Sequence, residues 1–206
     1  CADLQVVMPF FTRVRGGAAQ AHPRRDYVAT EEPLEIRLVT PSETRKLAVT
    51  MRTPGADFEL ATGFLFSEGV IHSREDVRQI SYCVDRDLDE AQQYNVVNVV
   101  LKQEIPADLQ QTLERHFMVS SACGVCGKAN IDALEADGLQ PLTDSVRVSV
   151  ERILALPAAL REAQKVFEST GGLHAAALFD LDGRLLALRE DVGRHNALDK
   201  LFGHAL

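Results

Sequence analysis

Apolar and polar residues alternate along the first half of the chain in the pattern of strands that bury one face. The clearest segment is 34–38, in which three aliphatic residues alternate with Glu35 and Arg37. Proline and small polar residues at 41–44 predict a turn directly after it. Residues 1–26 show no comparable pattern and are predicted to be a loosely ordered lead-in. Further strands are predicted at 27–29, 47–52, 77–84 and 95–101.

Helical periodicity first appears at 58–68, where apolar residues share one face and Gly69 follows the last turn. Ser149 is a candidate N-cap, and Pro157 suits the first turn of a new helix. Asp191 is a candidate cap for the last helix of the chain. The predicted helices are 58–68, 107–116, a short turn at 129–134, 150–156, 158–168 and a final helix ending near 202.

The segment 173–179 is almost wholly apolar around His174, which is typical of a strand buried on both faces. Aspartate and glycine at 180–183 turn the chain, so 184–189 is predicted to return as the second strand of a hairpin. With strands first and helices later, the sequence predicts an α+β fold with mixed sheets and flanking helices.

The stretch 135–148, which contains proline and aspartate, is the predicted seam between two domains. The first domain, 1–135, is β-rich and carries a loop with two cysteines at its end. The second, 136–206, is an α/β unit. A chain of 206 residues is long enough for either one large domain or two small ones.

Composition narrows the possible functions. The net charge of −8 disfavours a protein that binds duplex nucleic acid, because neutralising phosphates needs clustered Lys and Arg. No apolar run is long enough for a transmembrane helix, and the N-terminus shows no secretory signal. Four cysteines do not make a disulfide scaffold, so a reducing, cytoplasmic location is expected. Because the chain starts at Cys1 without Met, it is expected to be a fragment or a processed form.

The cysteine loop is the strongest lead to the chemistry. Cys123 and Cys126 are three positions apart among small residues, with Gly124 and Gly127 beside them. The glycines leave the backbone free to adopt many conformations, so either sulfur can reach a partner. Lys128 favours the thiolate electrostatically if it lies close, although it could equally be a solvated surface charge. The pattern indicates an accessible thiol pair rather than core cysteines.

Four functions are compatible with such a pair. A structural zinc half-site would need two more ligands, yet Cys1 and Cys83 are isolated and no paired histidines follow. A thioredoxin-like dithiol would open a helix, and the helix signal here is weak. The cysteines could also be two unrelated surface thiols. A sulfur carrier would hold a persulfide on one thiol and use the second to release the sulfur.

A second group of candidates lies at the predicted junction between the last strand and the last helix. Arg194, His195 and Asn196 would add donors to helix amides, which is typical of an anion site. Alternatively, Arg194 pairs with a neighbouring carboxylate, and His174 is a core histidine with a structural partner.

Beyond these patterns, the chain resembles the formate dehydrogenase accessory sulfurtransferase family, known as FdhD. The resemblance covers residues from about 28 to 204, and its motifs are highly specific in combination. The residues that carry it are 32–36, 51–55 with 63–69, 121–128, and 170–177 followed by 189–200.

The resemblance implies a cytoplasmic sulfur carrier. Such a protein takes sulfur from a cysteine desulfurase and passes it to the bis-molybdopterin guanine dinucleotide cofactor, so that formate dehydrogenase becomes active. The family's paired cysteines correspond to Cys123, the implied persulfide site, and to Cys126, the implied second thiol. The molybdenum cofactor would be a bound substrate, with no permanent cofactor and no metal site. The candidates for binding it in this chain are Arg194, His195, Asn196 and His174.

The resemblance also implies a homodimer and a C-terminal part similar to cytidine deaminases. The family's main cofactor segment is expected beyond Leu206, so the second domain is expected to be truncated at its C-terminal end. A zinc-dependent deaminase activity is rejected, because His174 is not followed by the required Glu and no Pro precedes Cys123. The remaining alternative is a scaffold that binds formate dehydrogenase or its cofactor without moving sulfur.

Overall fold

The computed structural model describes residues 5–7, 10–15, 18–23, 26–83, 94–106 and 146–206. None of the helices in these ranges combines the length and the apolarity needed to cross a membrane. In chain order the elements are β1 (Gln5–Val7), β2 (Phe10–Arg15), β3 (Ala18–Pro23), β4 (Asp26–Val28), β5 (Glu32–Val39), β6 (Thr44–Arg52), α1 (Asp57–Ser67), a single 3₁₀ turn (Arg74–Asp76), β7 (Val77–Tyr82), β8 (Val96–Leu101), α2 (Val150–Ala163), α3 (Lys165–Thr170), β9 (His174–Phe179), β10 (Leu185–Asp191) and α4 (Arg194–Ala205).

The centre of the fold is a mixed four-stranded sheet with the order β6-β5-β8-β7. Strand β5 pairs antiparallel with β6 and parallel with β8, and β7 pairs antiparallel with β8. A second sheet contains only β9 and β10, which form an antiparallel hairpin. The predicted α+β class is therefore confirmed, as are the central strands and the helix near 58–68.

The apolar core lies between this sheet and α1. Leu34, Ile36 and Leu38 project from β5 to one face, and each is fully buried. Leu60 and Leu65 of α1 pack against them in the same cluster. Removing an aliphatic side chain of this size from water stabilises the fold by about 1.5–3 kcal/mol.

Helix α4 crosses α1 at two glycines that let the backbones come unusually close. A Cβ on Gly63 would lie 1.8 Å from the carbonyl oxygen of Asp199, and one on Gly203 would lie 1.9 Å from that of Glu59. Neither position can therefore take a larger residue unless the helices move apart. Beside the crossing, the Ser67 hydroxyl donates to the buried Asp199 carboxylate at 2.7 Å.

Several predictions about the helices were wrong. Helix α2 is continuous through Pro157 instead of ending before it, and a second helix, α3, begins at Lys165. Proline removes one internal hydrogen bond, and α2 tolerates this loss because none of its residues is buried and the freed carbonyl can meet water. The last helix begins at Arg194 with Gly193 as its N-cap, whereas Asp191 ends β10.

The hairpin and the N-terminal segment also differ from the predictions. Strand β9 is half-buried and His174 is exposed, because a two-stranded sheet has too few neighbours to cover both faces. The predicted lead-in at 1–26 contains the short strands β1, β2 and β3. Strand β2 pairs with β3, and β1 pairs with β4, which matches the strand predicted at 27–29. The helices predicted at 107–116 and 129–134, and the seam at 135–148 as far as residue 145, lie outside the described residues.

Candidate functional site

A buried ion pair joins the last strand to the last helix. Asp191 ends β10 and is fully buried, and Lys200 lies in the middle of α4 with only 2% of its surface exposed. Their charged groups are 2.7 Å apart. The second carboxylate oxygen of Asp191 accepts the Gly193 amide at 2.8 Å and the Asn196 side-chain amide at 3.0 Å. The pair thus also organises the first turn of α4.

The same pair and the neighbouring Val192 together hold Thr53, which follows β6, at all three of its polar atoms. The Thr53 amide donates to the Asp191 carboxylate at 3.1 Å, and the Lys200 ammonium donates to the Thr53 carbonyl at 2.8 Å. The Thr53 hydroxyl accepts the Val192 amide at 3.1 Å. The residue that directly follows β6 is therefore fixed by a segment about 140 positions further along the chain.

Thr53 begins one wall of a cleft of about 240 Å³. Its lining combines apolar and charged side chains. The described lining residues are Thr53, Pro54, Gly55, Ala56, Val166, Leu173, Leu188, Arg189, Glu190 and Lys200.

The charges around the cleft are paired within the protein. The Arg189 guanidinium donates to both carboxylate oxygens of Glu59, one of them at 2.6 Å. This hydrogen bond lowers the pKa of Glu59 and raises that of Arg189, so both stay charged. Glu190 accepts the first amides of α3, from Val166 at 3.1 Å and from Phe167 at 2.9 Å.

The wall at 53–56 has an uncommon backbone. Gly55 has φ +111° and Ala56 has φ +54°, and a left-handed conformation is rare for alanine. A second buried pair flanks this loop, since Arg52 makes a two-point contact with Asp57 at 3.2 and 2.9 Å. The Asp57 carboxylate also accepts the Gly55 amide at 3.2 Å.

Tyr82 also contacts the Asp57 carboxylate that supports this loop. Its hydroxyl donates to Asp57 at 3.2 Å. Burial, reinforced by the Asp57 charge, raises the pKa of Tyr82 to about 12, so the hydroxyl keeps its proton at neutral pH. The loop is thus held by Arg52 and Tyr82 through Asp57, and by Lys200 through Thr53.

The sequence-predicted residues near α4 occupy three different environments. His174 is exposed and lies opposite Asp191 in the β9–β10 register. Arg194 is exposed at the first position of α4. The Nδ1 atom of His195 is buried without a hydrogen-bond partner. None of these residues is among the described lining of the cleft.

Asn196, by contrast, is buried and uses its amide inside the protein. Its nitrogen donates to the Met51 carbonyl at 2.8 Å and to Asp191, while its oxygen accepts the Thr50 hydroxyl at 3.2 Å. Asn196 therefore ties the first turn of α4 to the end of β6. By fixing that turn, it fixes the backbone position of Arg194.

The two thiols singled out by the sequence, Cys123 and Cys126, lie outside the described residues. Within the described ranges Cys83 is buried, and the Arg37 guanidinium donates to its sulfur at 3.5 Å. Those ranges also hold no cluster of three or more His, Cys, Asp or Glu side chains that could bind a metal ion.

Sequence reasoning did not identify Thr53 and Lys200 as site residues and assigned Asp191 only to a helix cap. A signal was present, because the resemblance to a known family rested on 51–55 and 189–200 as separate stretches. The structure shows that these two stretches meet in one buried polar cluster.

Comparison with known proteins gives one consistent result. Residues 29–206 match the model of the FdhD/NarQ family. The chain is 50% identical over 196 residues to "Sulfur carrier protein FdhD" of Streptomyces coelicolor, which covers 94% of this chain and 67% of that protein. It is also 50% identical over 193 residues to the protein of the same name in Mycobacterium tuberculosis, covering 91% and 68%.

A solved structure is similar as well. It is the crystal structure of a protein assigned as a formate dehydrogenase accessory protein of Desulfotalea psychrophila, with a TM-score of 0.61 and 25% identity. The match covers 96% of this chain and 66% of that one. The chain thus spans about two thirds of the length of the proteins that it matches.

Proposed function

The chain belongs to the FdhD/NarQ family, and from this membership we propose that it is a sulfur carrier that serves formate dehydrogenase. The observation that carries the proposal is the 50% identity to named sulfur carrier proteins over more than nine tenths of the chain. The sequence contributes the reactive groups, Cys123 and Cys126, in a loop of small residues.

The first proposed step loads sulfur from the persulfide of a cysteine desulfurase. The Cys123 thiolate attacks the outer sulfur of that persulfide, and the desulfurase cysteine leaves as a thiolate. The S–S bond of the donor breaks as a new one forms on Cys123, so no external oxidant or reductant is needed. This sulfur transfer makes the protein a sulfurtransferase.

The second proposed step delivers the sulfur to bis-molybdopterin guanine dinucleotide, the substrate. Cys126 attacks the inner sulfur of the Cys123 persulfide, which releases the outer sulfur as sulfide and leaves a Cys123–Cys126 disulfide. The two electrons that convert the persulfide sulfur to sulfide come from the two thiols. The sulfide is then available to the molybdenum centre, and a cellular thiol must later reduce the disulfide.

The proposed contact region for the cofactor is the cleft together with the start of α4. Arg194 offers a permanent positive charge for a phosphate. His195 and His174 offer further ring nitrogens, and the buried Nδ1 of His195 has an unused hydrogen-bonding capacity. Asn196 belongs to the same region by orienting the turn that carries Arg194.

A second copy of this chain is the proposed partner for the outer face of α2 and the hairpin. Val150, Ile153 and Leu154 of α2 are 65, 53 and 73% exposed. Arg152 ties α2 to the hairpin, because it donates to the Leu181 carbonyl and pairs with Asp182 at 3.2 Å. The face is apolar, and residues 146–186 contain equal numbers of acidic and basic residues. Two copies of an acidic chain can therefore meet there with little charge repulsion.

Mass spectrometry of the thiol peptide tests sulfur transfer. The protein is incubated with a cysteine desulfurase and cysteine, and the peptide that contains Cys123 and Cys126 is expected to gain about 32 Da, one sulfur atom. Cys123→Ala should remove the adduct and abolish activation of formate dehydrogenase, because the nucleophile is lost. Cys83→Ser, which removes a buried thiol elsewhere, should keep both.

The competing function is a scaffold that binds formate dehydrogenase or its cofactor without moving sulfur. An unmodified peptide under conditions that load a known carrier would favour the scaffold. Activation of formate dehydrogenase by Cys123→Ala at the wild-type level would also exclude sulfur transfer through this residue.

A further inference from the structure

Both charged groups of the Asp191–Lys200 pair are buried, and a contribution to stability does not by itself explain why. Burying two charges costs desolvation free energy, and a well-packed apolar pair of similar volume is often equally stable or more so. From its contacts we infer that Asp191 and Lys200 are positioning residues for cofactor binding, which fix the cleft wall and the first turn of α4 relative to each other. This inference rests on the proposed function.

The first effect of the pair is on the cleft wall. Thr53 has three polar atoms, and the segment 191–200 holds all of them. Lys200 itself uses its ammonium on the Thr53 carbonyl, on Asp191 and on the Glu190 carbonyl at 3.4 Å. The ammonium is thus saturated inside the protein, so its role is to place Thr53 and not to contact the substrate.

The second effect of the pair is on the start of α4. Its N-cap is Gly193, which has no side chain to accept the free amides of the first turn. The Asp191 carboxylate accepts the Gly193 amide and the Asn196 side-chain amide with one oxygen. The position of the turn that carries Arg194 therefore depends on this carboxylate.

Both effects depend on one group, the Asp191 carboxylate. One oxygen of Asp191 binds Thr53 and Lys200, and the other binds Gly193 and Asn196. A shift of this carboxylate would consequently move the cleft wall and Arg194 together. Misplacement of a binding group by about 1 Å is enough to cost up to a hundredfold in function.

The experiment measures binding of guanosine diphosphate, which represents the nucleotide part of the cofactor, by calorimetric titration. Asp191→Asn and Lys200→Met are compared with the wild type, each also followed by thermal unfolding. Both variants are expected to stay folded at 25 °C and to bind about tenfold more weakly or worse. Arg194→Ala provides the reference for loss of a contacting side chain.

Asp199→Asn is the matched control. Asp199 precedes Lys200 on the same helix and is also buried, but its described hydrogen bond is to Ser67 and not to Thr53. This variant is expected to change thermal stability while its affinity stays within about twofold of the wild type. A purely structural role for Asp191 and Lys200 would instead leave the affinities of the folded Asp191→Asn and Lys200→Met variants within about twofold of the wild type as well.

Wild-type affinity in folded Asp191→Asn and Lys200→Met would overturn the inference. If both variants fail to fold, the double variant Asp191→Asn/Lys200→Met decides, since it removes both charges together and leaves no unpaired buried charge. An affinity loss of about threefold would then support the inference, and unchanged affinity would refute it. Failure of the wild type to bind the nucleotide, with or without a persulfide on Cys123, would count against the proposed function itself.

Discussion

The central sheet with α1 and the α2–hairpin region bury their apolar residues very differently. Strands β5, β6, β7 and β8 with α1 enclose a continuous core, and the three inward residues of β5 are completely inaccessible. Helix α2 has fourteen residues and buries none of them. In the hairpin, Leu181 and Leu186 are more than half exposed.

The contrast shows two ways of holding a structure together. The central sheet is stabilised mainly by the apolar core that it shares with α1. The hairpin is instead joined to the sheet through α4 and through the polar contacts of Asp191 and Arg189. Substitutions in the central sheet should therefore act through lost apolar burial, and substitutions near the hairpin through lost polar contacts.

The largest effect is expected for Ile36→Ala in the core of the sheet. Ile36 is fully buried, so the truncation leaves a cavity and should lower the free energy of unfolding by about 2–5 kcal/mol. Urea denaturation followed by circular dichroism measures this loss. A loss below about 0.5 kcal/mol would show that the buried side chain of Ile36 contributes little to the stability of the sheet.

An intermediate, pH-dependent effect is expected for Asp199, where α4 meets α1. Burial, in spite of the Ser67 hydrogen bond, raises the pKa of Asp199 from 3.8 to about 6. Between about pH 4 and pH 6 the folded protein keeps a proton that the unfolded chain releases. The stability of the wild type should therefore fall as the pH rises through this window.

Asp199→Asn removes this dependence, because the amide has the same shape and no charge. At pH 7 the variant should be more stable than the wild type by on the order of 1–3 kcal/mol, and below pH 4 the two should converge. Thermal unfolding at several pH values gives both curves. Parallel curves across the whole range would show that Asp199 titrates normally in the folded protein.

The smallest effect on unfolding is expected for Leu154→Asp on the exposed face of α2. Leu154 is already in contact with water, so the free energy of unfolding of the isolated chain should change by no more than about 0.5 kcal/mol. Sedimentation velocity should instead show a loss of dimers, because a charge enters the proposed contact. Leu198→Asp, at an exposed leucine of α4, should leave the dimers intact.

A wild type that is monomeric at all concentrations would refute the proposed contact. Dimers that survive Leu154→Asp would place the contact on another face. Either result would leave the difference in burial between the two regions unexplained by self-association.

Sequence reasoning predicted the central region well for a physical reason. Alternation in β5 and helical periodicity in α1 show, within each segment, which side chains face the core. The same reasoning failed at 173–179, since an apolar run indicates low polarity without showing how many neighbouring strands will cover it. It also failed at Pro157, because the sequence does not show that this helix lies exposed, where the carbonyl freed by the proline can be solvated.

The buried polar cluster was beyond local reasoning for a different reason. Thr53, Asp191 and Lys200 are ordinary residues in their own segments, and only the fold brings them together. A sequence shows that Asp191 is acidic, but not that its charge will be shielded from water beside a lysine. The stretches 51–55 and 189–200 contain these residues, and the distances between them show that they form one cluster.

The buried pair behind Thr53 also constrains how this sequence can change. Asp191 and Lys200 hold Thr53 by its backbone amide and carbonyl, so another residue at position 53 can keep both contacts. Loss of Asp191 or Lys200 alone leaves the other charge stranded in a dry interior. Drift at positions 191 and 200 should therefore proceed by paired replacement, so that these two positions covary across descendants.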